Sequence, residues 1–363
     1  MSTHGVKAAG REKEVDGKPR PARFRGPALA GARRLALRAV VLASVSLPPA
    51  AAQACACGCG VFDVGAGTLV TRPSDSDSGF SAWLRYAYMN QDQNWEKGSK
   101  APASDNLDKR ILTSFFIPGA EYSVSRSLTL MAELPVFARA LTTTDDGSVF
   151  GPAGSVYTGT LTDMGDLMLT AFYTGFSEDM STGLSFGVKL PTGNYTGPNG
   201  PLSGSEFDRD SLPGTGSTDV TVGAYHVGGL TPDNALAYFA QARYEVAVFT
   251  RNAYRPGNEL DAAVGLTYAI SLGGSSAVSP VLQLIGSYRL RDQGANADSL
   301  NTGYARLLLS PGVELKVAKT RLFLDVEFPV YQYVNAAPSV ALEGSAGQLV
   351  ASVIFKAQVM YDF

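Results

Sequence analysis

Three cysteines, Cys55, Cys57 and Cys59, are the residues whose type and spacing most directly suggest chemistry. They form a Cys-x-Cys-x-Cys run and are the only cysteines in the chain. Three thiolates in such a run could hold a soft metal ion such as Cu(I). In an oxidising compartment, an odd number of thiols also fits one disulfide plus a free thiol, or a link to a partner. A soft-metal site, a disulfide or partner linkage, and a structural role therefore stay open. No Cys-x-x-Cys-His sequence occurs, which excludes haem attachment, and no other cofactor is expected.

Charged residues that alternate with apolar ones form the second informative set. In residues 320–333, Leu322 and Leu324 share one face of an extended chain, whereas Asp325 and Glu327 share the other. This period of two is that of a β-strand with one apolar and one polar face. Mixed charges on the polar face could fill a narrow barrel with salt bridges, or line a pore whose fields select polar or aromatic solutes. Even and odd positions of a strand point to opposite faces, and we call this property of a residue its parity. The charged residues whose parity places them on the polar face of a predicted strand are expected to line the pore: Arg85, Glu121, Glu133, Asp166, Lys189, Arg243, Glu245, Asp261, Arg289, Arg306, Glu314, Asp325, Glu327 and Lys356.

About twelve alternating segments position these residues. Each is long enough to cross a bilayer at a tilt, which takes roughly 9–11 residues. A soluble β-sandwich would also alternate, but its polar face would usually be more charged. We therefore predict an all-β protein, a transmembrane antiparallel up-and-down β-barrel of about twelve strands. The segments are approximately 80–90, 109–124, 127–139, 163–176, 180–191, 217–229, 235–249, 258–271, 277–291, 302–318, 320–333 and 347–363.

The lengths of the connections predict the topology. Connections after even-numbered segments are short, such as 177–179 and 231–234, whereas those after odd-numbered segments are mostly long and polar, such as 140–162 and 192–216. Outer-membrane barrels have short periplasmic turns and long outer loops. This pattern predicts a bacterial outer-membrane location with both termini in the periplasm.

The connection 192–216 is the longest and is rich in Gly and Pro. It carries Glu206, Asp208, Arg209 and Asp210 around Phe207. If this loop folded inward, its carboxylates would narrow the channel and bias permeation, because fixed charge acts strongly in a confined space. We therefore treat it as a candidate gating loop, with a solvated surface loop as the alternative.

The composition supports a membrane barrel and excludes other classes. Charged residues make up 17% of the chain, against roughly 25% in soluble domains. After residue 54 no apolar run approaches the roughly 20 residues of a transmembrane helix. The first 54 residues hold ten Lys and Arg against three Asp and Glu, which leaves 20 basic and 30 acidic residues beyond them. Such an acidic excess argues against a nucleic-acid partner.

The N-terminal segment resembles an export signal. Arg33, Arg34 and Arg38 precede an apolar stretch at 39–47, and Ala-Gln-Ala at 52–54 fits a small-x-small cleavage site. We therefore predict a signal peptide with a long basic region at 1–54, a periplasmic segment with the cysteines at 55–78, and an outer-membrane barrel at 79–363. In the last strand, Phe363, Tyr361 and other apolar residues alternate with polar ones, which resembles the signal read by the barrel-assembly machinery. This machinery and the outer-membrane lipid are the expected partners, beside a small-molecule solute.

Several segments resemble the outer-membrane transporter-like family named for the MetA pathway of phenol degradation. They are Gly165-Asp166-Leu167, the run Gly-Val-Lys-Leu-Pro-Thr-Gly at 187–193, Leu-Pro-Gly-Thr-Gly-Ser-Thr-Asp at 212–219, Leu-Ser-Pro-Gly at 309–312, and Phe-Pro-Val-Tyr-Gln-Tyr-Val-Asn at 328–335. The similarity follows the chain in order over most of residues 60–363. It implies a porin-like barrel related to hydrocarbon-uptake channels, and transport of an undefined solute.

Three functions stay open at this point. A channel or transporter-like barrel for a small solute is the principal expectation, and a non-conducting structural or scaffolding barrel is the main alternative. A lipid-modifying outer-membrane enzyme is the third, because some twelve-stranded barrels carry a Ser–His pair on the outer wall. His226, the only His after the signal, is predicted to point outward near the periplasmic rim, whereas those sites lie near the outer rim. We therefore expect no enzyme activity and no catalytic residues.

Overall fold

The computed structural model describes residues 65, 79–145, 152–196, 207, 209–336 and 347–363. The predicted signal peptide, the three cysteines and the gating-loop residues Glu206 and Asp208 lie outside the described residues. Among the described residues, no helix is long and apolar enough to cross a membrane.

The described chain consists almost entirely of antiparallel β-strands. Besides them, it contains two short 3₁₀ helices, Ala103–Asp105 and Arg209–Ser211. The strands are β1 (Gly79–Glu96), β2 (Ser99–Lys100), β3 (Asp108–Ser125), β4 (Leu128–Glu133), β5 (Val136–Thr144), β6 (Val156–Met164), β7 (Leu167–Tyr173), β8 (Thr182–Leu190), β9 (Thr218–Gly229), β10 (Leu236–Phe249), β11 (Glu259–Tyr268), β12 (Ile270–Gly273), β13 (Ser276–Arg289), β14 (Tyr304–Val317), β15 (Thr320–Val334) and β16 (Gln348–Asp362).

The strands close into a barrel because β1 pairs with β3 on one side and with β16 on the other. Three strands of the wall consist of two pieces each, namely β4 with β5, β6 with β7, and β11 with β12. The closed wall therefore has 12 strands, and β2 pairs with β1 beyond it. The predicted all-β fold, a closed antiparallel barrel of about twelve strands, is confirmed.

Side chains alternate between the two faces of the wall. In β15, Phe323, Asp325 and Glu327 are buried, whereas Leu324 and Phe328 are exposed by 42% and 45%. The interior thus receives the polar and charged residues together with some apolar ones, and the outer face is covered with large apolar residues. An apolar outer band around a polar interior is the pattern of a barrel that faces lipid.

Several strands extend further than the alternation predicts. β1 continues to Glu96, β5 continues to Thr144, and β6 begins at Val156, so the connections predicted at 91–108 and 140–162 are shorter than expected. These extensions are rich in Gln, Asn and Thr rather than alternating apolar residues. They still pair through the backbone: β1 stays paired with β16 as far as Trp95 and Gln348. Strand pairing needs no apolar face once the strand lies beyond the apolar outer band.

Two adjacent strands of the wall are interrupted at the same level. β3 pairs with both β4 and β5, β4 pairs with β7, and β5 pairs with β6. The interruptions fall at Leu134-Pro135 and Gly165-Asp166, where Pro135 offers no N–H to the ladder but its carbonyl accepts the Gly165 amide at 2.8 Å. Among the described strands, β6 pairs only with β5. The connection between β8 and β9 enters the barrel at this interruption.

Candidate functional site

Asp166, at the strand interruption, fixes both ends of the connection between β8 and β9. Its Oδ1 accepts the Gly193 amide at 3.0 Å, and its Oδ2 accepts the amide and hydroxyl of Thr215 at 2.8 and 2.7 Å. A Cβ at Gly214 would lie 2.4 Å from the carbonyl carbon of Gly193, so only glycine allows this approach. One carboxylate therefore folds the connection against the interior of the barrel.

Of the residues predicted to form the gate, Phe207, Arg209 and Asp210 are described, and they lie inside the barrel. Phe207 is exposed by only 3% and belongs to an apolar cluster with residues of four wall strands. Arg209 donates to the carbonyls of Gly214 and Thr215, and its guanidinium stacks 4.4 Å from the ring centroid of Tyr254 and 5.3 Å from that of Tyr195. The cluster around Phe207 contains Ile111, Leu141, Leu161 and Leu349, with Leu212 packed against it. The inward fold is thus observed, whereas a gating role stays a prediction.

Tyr254, in the connection between β10 and β11, links Arg209 to the connection between β13 and β14. Its hydroxyl donates to Asp292 Oδ2 at 2.6 Å, while Asp292 Oδ1 accepts the Gly257 amide at 2.7 Å and Arg289 Nη2 at 2.9 Å. Burial and the neighbouring Asp292 carboxylate raise the pKa of Tyr254 well above its usual value. The hydroxyl therefore stays protonated and remains a donor at neutral pH.

A cavity of about 200 Å³ lies between this connection and the wall. One side is apolar and aromatic, formed by Phe115, Phe137, Met168 and Leu212. The remaining lining carries opposite charges and includes six residues predicted from parity: Glu133, Asp166, Lys189, Arg243, Glu245 and Arg289. A small amphipathic cavity with a few convergent charged groups is the usual form of a solute site.

The charges beside this cavity form an ion-pair network across neighbouring strands. Lys189 pairs with Asp219 and, at 2.5 Å, with Glu245. Arg243 lies 3.7 Å from Glu245 and 3.5 Å from Asp261. Since Lys189 faces Asp219 and Arg243 faces Asp261 in the strand register, the register itself brings opposite charges together.

A second polar cluster lies elsewhere inside the barrel. Lys356 Nζ contacts Glu327 at 2.6 Å, and Asp325 accepts hydrogen bonds from Ser310 at 2.7 Å and from Gln283 at 3.2 Å. Gly65, which precedes the barrel, reaches the interior here, where its amide donates to Gln241 at 3.0 Å. At least this residue of the predicted periplasmic segment therefore lies within the barrel.

The remaining residues predicted from parity are also turned away from the outer face. Arg85 contacts Glu133 at 3.3 Å and Gln358 at 2.9 Å. Glu121, Asp261 and Arg306 are buried, and the Arg306 guanidinium lies 4.5 Å from the ring centroid of Tyr304; Arg289 and Glu314 are half-buried. Whether these residues line a conducting path stays a prediction.

Sequence reasoning missed several residues of the site, including Arg139, Asp219, Tyr254 and Asp292. Parity counted from Glu133 across the strand interruption would have found Arg139, because odd positions remain inward in β5. Asp219 lies two residues before the inward-facing Thr221 on the same strand, so parity would have identified it as well. Tyr254 and Asp292 lie in connections between strands, where no alternation exists to reveal an inward side chain.

The two remaining sets of candidate residues are His226 and the three cysteines, and only His226 lies among the described residues. His226 lies at the end of the barrel with short turns, and both of its ring nitrogens are engaged, with Thr182 Oγ1 at 2.8 Å and the Tyr238 hydroxyl at 3.0 Å. Cys55, Cys57 and Cys59 lie outside the described residues, so the soft-metal site stays a prediction. Within the described ranges, no group of three or more His, Cys, Asp or Glu residues is arranged to hold a metal ion.

Comparisons with known proteins find similarity only among solved structures. No family model and no curated protein matches the chain. An outer-membrane channel of Pseudomonas putida F1 is 15% identical, with a TM-score of 0.55 over 81% of this chain and 100% of that chain. The β-domain of the Bordetella autotransporter BrkA is 13% identical, with a TM-score of 0.45 over 78% and 100%. The Ralstonia pickettii toluene transporter TbuX is 12% identical, with a TM-score of 0.39 over 83% and 95%. At such identities the similarity shows the fold alone, and the MetA-pathway resemblance stays a prediction.

Proposed function

We propose that this chain is an outer-membrane channel that passes a small solute. The observation that carries the proposal is the partly open cavity of about 200 Å³ between a charged wall and an inward-folded connection. The apolar outer face suits a bilayer, and the polar interior suits a solute path. The Pseudomonas putida F1 structure with the same fold is itself described as an outer-membrane channel, which agrees with the proposal.

The charged wall supplies the selectivity of such a channel. Lys189, Arg243 and Glu245 line the cavity, and Asp219 and Asp261 pair with the two cations. The electric fields of these charges run across the proposed solute path rather than along it. They act at short range in an environment largely shielded from bulk water. A solute that carries dipoles or a ring is oriented by this wall, whereas a hydrated ion gains less from it.

The connection between β8 and β9 is the proposed gate. Phe207, Arg209 and Ser211 belong to the part that folds into the interior. We predict that deleting residues 199–211 raises the single-channel conductance and reduces the cation preference, because Phe207 and the carboxylates of Glu206, Asp208 and Asp210 are removed together. Recordings from the purified protein in planar bilayers measure both quantities, and heat-modifiability on a gel reports whether the barrel is folded.

A matched variant separates the effect of bulk from that of charge. The triple substitution Glu206→Gln, Asp208→Asn and Asp210→Asn keeps the chain length, so it should lower the cation preference while the conductance changes little. If the deletion variant stays folded and neither quantity changes, the connection is not a gate and selectivity belongs to the strands of the wall.

A structural barrel that conducts nothing is the second candidate. The observation in its favour is the apolar cluster inside the barrel, which includes Trp83, Met89, Phe115, Phe239 and Phe323. Together with Gly65, this cluster would plug the interior independently of the connection between β8 and β9. The deletion variant decides between the two functions, because a plugged barrel stays closed after residues 199–211 are removed.

The proposed setting is the bacterial outer membrane, with the short turns in the periplasm. Assembly there would use the barrel-assembly machinery, which would read the alternating strand β16 and Phe363. This strand closes the ring by pairing with β1 and β15. The cysteine run, as a soft-metal site or as a thiol link to a partner, would then lie on the periplasmic side.

A further inference from the structure

Arg139, on β5, is a buried cation that stands apart from the ion-pair network. Its side chain lines the cavity and the residue is exposed by only 4%. Its Nε donates to Thr113 Oγ1 at 3.0 Å, and its Nη1 donates to the carbonyl of Ser211. Among the described residues, none of the ion pairs joins Arg139 to a carboxylate. Burying a charge is costly unless an opposite charge compensates it.

The other cations that wall strands contribute to the cavity are already compensated. Lys189 pairs with Asp219 and Glu245, and Arg289 contacts Asp292 at 2.9 Å. Arg243 lies 3.5 Å from Asp261. Among the described residues, Arg139 is therefore the strand residue lining the cavity whose positive charge forms no ion pair with a carboxylate. This charge is available to a ligand.

The apolar side of the cavity adjoins Arg139. The guanidinium lies 5.9 Å from the ring centroid of Phe137, and Phe137 packs edge-on against Phe115 with centroids 5.0 Å apart. Met168 and Leu212 complete this side. An apolar protein cavity of about 150 Å³ can hold a benzene ring. The cavity here, of about 200 Å³, therefore has room for one ring and a small polar substituent.

We propose that this cavity binds a small organic monocarboxylate whose apolar body has the size of one aromatic ring. This proposal rests on the channel function proposed above and names the chemical class of its solute. Arg139 binds the carboxylate, because a guanidinium matches its planar geometry, and Phe115 and Phe137 contact the body. Glu133 and Asp210 also line the cavity and repel a second negative charge, which favours a monocarboxylate over a dicarboxylate.

Calorimetric titration of the folded full-length protein in detergent tests the proposal, with benzoate as the probe and benzyl alcohol as its neutral analogue. We expect benzoate to bind the unaltered protein. Arg139→Gln should weaken benzoate binding by about tenfold to a hundredfold, the range for loss of a charge-assisted hydrogen bond. It should leave binding of benzyl alcohol nearly unchanged, and Arg139→Lys should restore part of the affinity for benzoate.

The comparison of two ligands separates recognition from a purely structural role. Arg139 also holds the carbonyl of Ser211, so a loosened connection would change the affinity for both ligands together. Arg110→Gln, at an exposed position of β3, is the control and should change neither affinity. Absence of benzoate binding to the unaltered protein, or an equal change for both ligands in Arg139→Gln, would overturn the proposal.

The outcomes also separate this proposal from the channel function. If benzoate binds through Arg139 but the deletion variant lacking 199–211 conducts nothing, the site stands and the channel function is rejected. If that variant conducts but benzoate does not bind, the channel function stands and the monocarboxylate site is rejected.

Discussion

The effect of a substitution in this protein depends first on which face of the wall its side chain occupies. Leu324 and Glu327 lie on the same strand, β15, but Leu324 is exposed by 42% on the outer face and Glu327 is fully buried inside. Lipid cannot hydrate a charge on the outer face, whereas the interior already contains charged partners. The two positions therefore test the assignment of faces independently of any function.

We predict that Leu324→Arg lowers the free energy of unfolding by about 2–4 kcal/mol, the cost of Arg near the bilayer midplane. Glu327→Gln should instead shift the ion selectivity towards anions and leave the barrel folded, because Lys356 keeps Asp325 as its register partner. Denaturant titration in lipid vesicles measures the first effect and reversal potentials in an open variant measure the second. Leu324→Val, which keeps an apolar side chain, is the control for the outer face. Equal losses of stability in Leu324→Arg and Glu327→Gln would contradict the assignment of faces.

Parity predicts the direction of a side chain but not the contacts it makes. Lys189, Glu245 and Asp325 were identified from alternation alone, because each lies within a regular strand. The role of Asp166 could not be identified, since its hydrogen-bond partners, Gly193 and Thr215, are distant in sequence and lie in an irregular connection. Arg139 was missed although it shares the parity of Glu133, because it is the last residue of the predicted segment 127–139 whereas the strand continues to Thr144.

At the scale of elements, the paired interruption of two wall strands organises the site. β4 and β5 are separated at the same level as β6 and β7, and the connection between β8 and β9 occupies that position. Asp166 accepts three hydrogen bonds from this connection. The contact joins a wall strand to the proposed gate, so a change at one residue should alter the position of a whole element.

We predict that Asp166→Asn raises the single-channel conductance while the barrel remains heat-modifiable. The substitution keeps the shape of the side chain but turns an amide N–H₂ towards N–H and O–H donors, which weakens the contact to Gly193 or Thr215. Planar-bilayer recordings measure the conductance. Asp298→Asn is the matched control, because Asp298 accepts the amides of Leu300 and Asn301 in a different connection. Unchanged conductance in folded Asp166→Asn would show that this carboxylate does not hold the gate.

The boundaries of the elements were predicted best where the strands face lipid. β9, β10 and β13 agree with the predicted segments within two residues at each end. The polar extension of β1 beyond Asn90 was missed because a Gln- and Asn-rich stretch has no apolar alternation. Its pairing depends on β16, whose Leu349 and Gln348 lie opposite Asn94 and Trp95. Such long-range backbone pairing is not encoded in local periodicity.

At the scale of the whole molecule, closure brings both ends of the barrel domain to one rim. The Phe363 amide donates to the carbonyl of Phe80 at 3.0 Å, and the Asp362 amide donates to the carbonyl of Lys319 at 2.9 Å. The turn between β14 and β15 therefore marks the same rim as the C-terminus. The orientation of the molecule in the membrane follows from the location of this one turn.

We predict that this rim faces the periplasm. Arg251 lies in a connection at the opposite end and is exposed, as is Lys319. In a chain whose native cysteines are replaced by Ser, Arg251→Cys should react in intact cells with a large maleimide that cannot cross the outer membrane. Lys319→Cys should react only after the outer membrane is permeabilised, and so serves as the matched control. Because short turns are typical of the periplasmic side and long loops of the outer side, the opposite labelling pattern would invert the topology. It would also place the connection between β8 and β9, with Phe207 and Arg209, at the periplasmic entrance, where the proposed gate would control release of a solute rather than its entry.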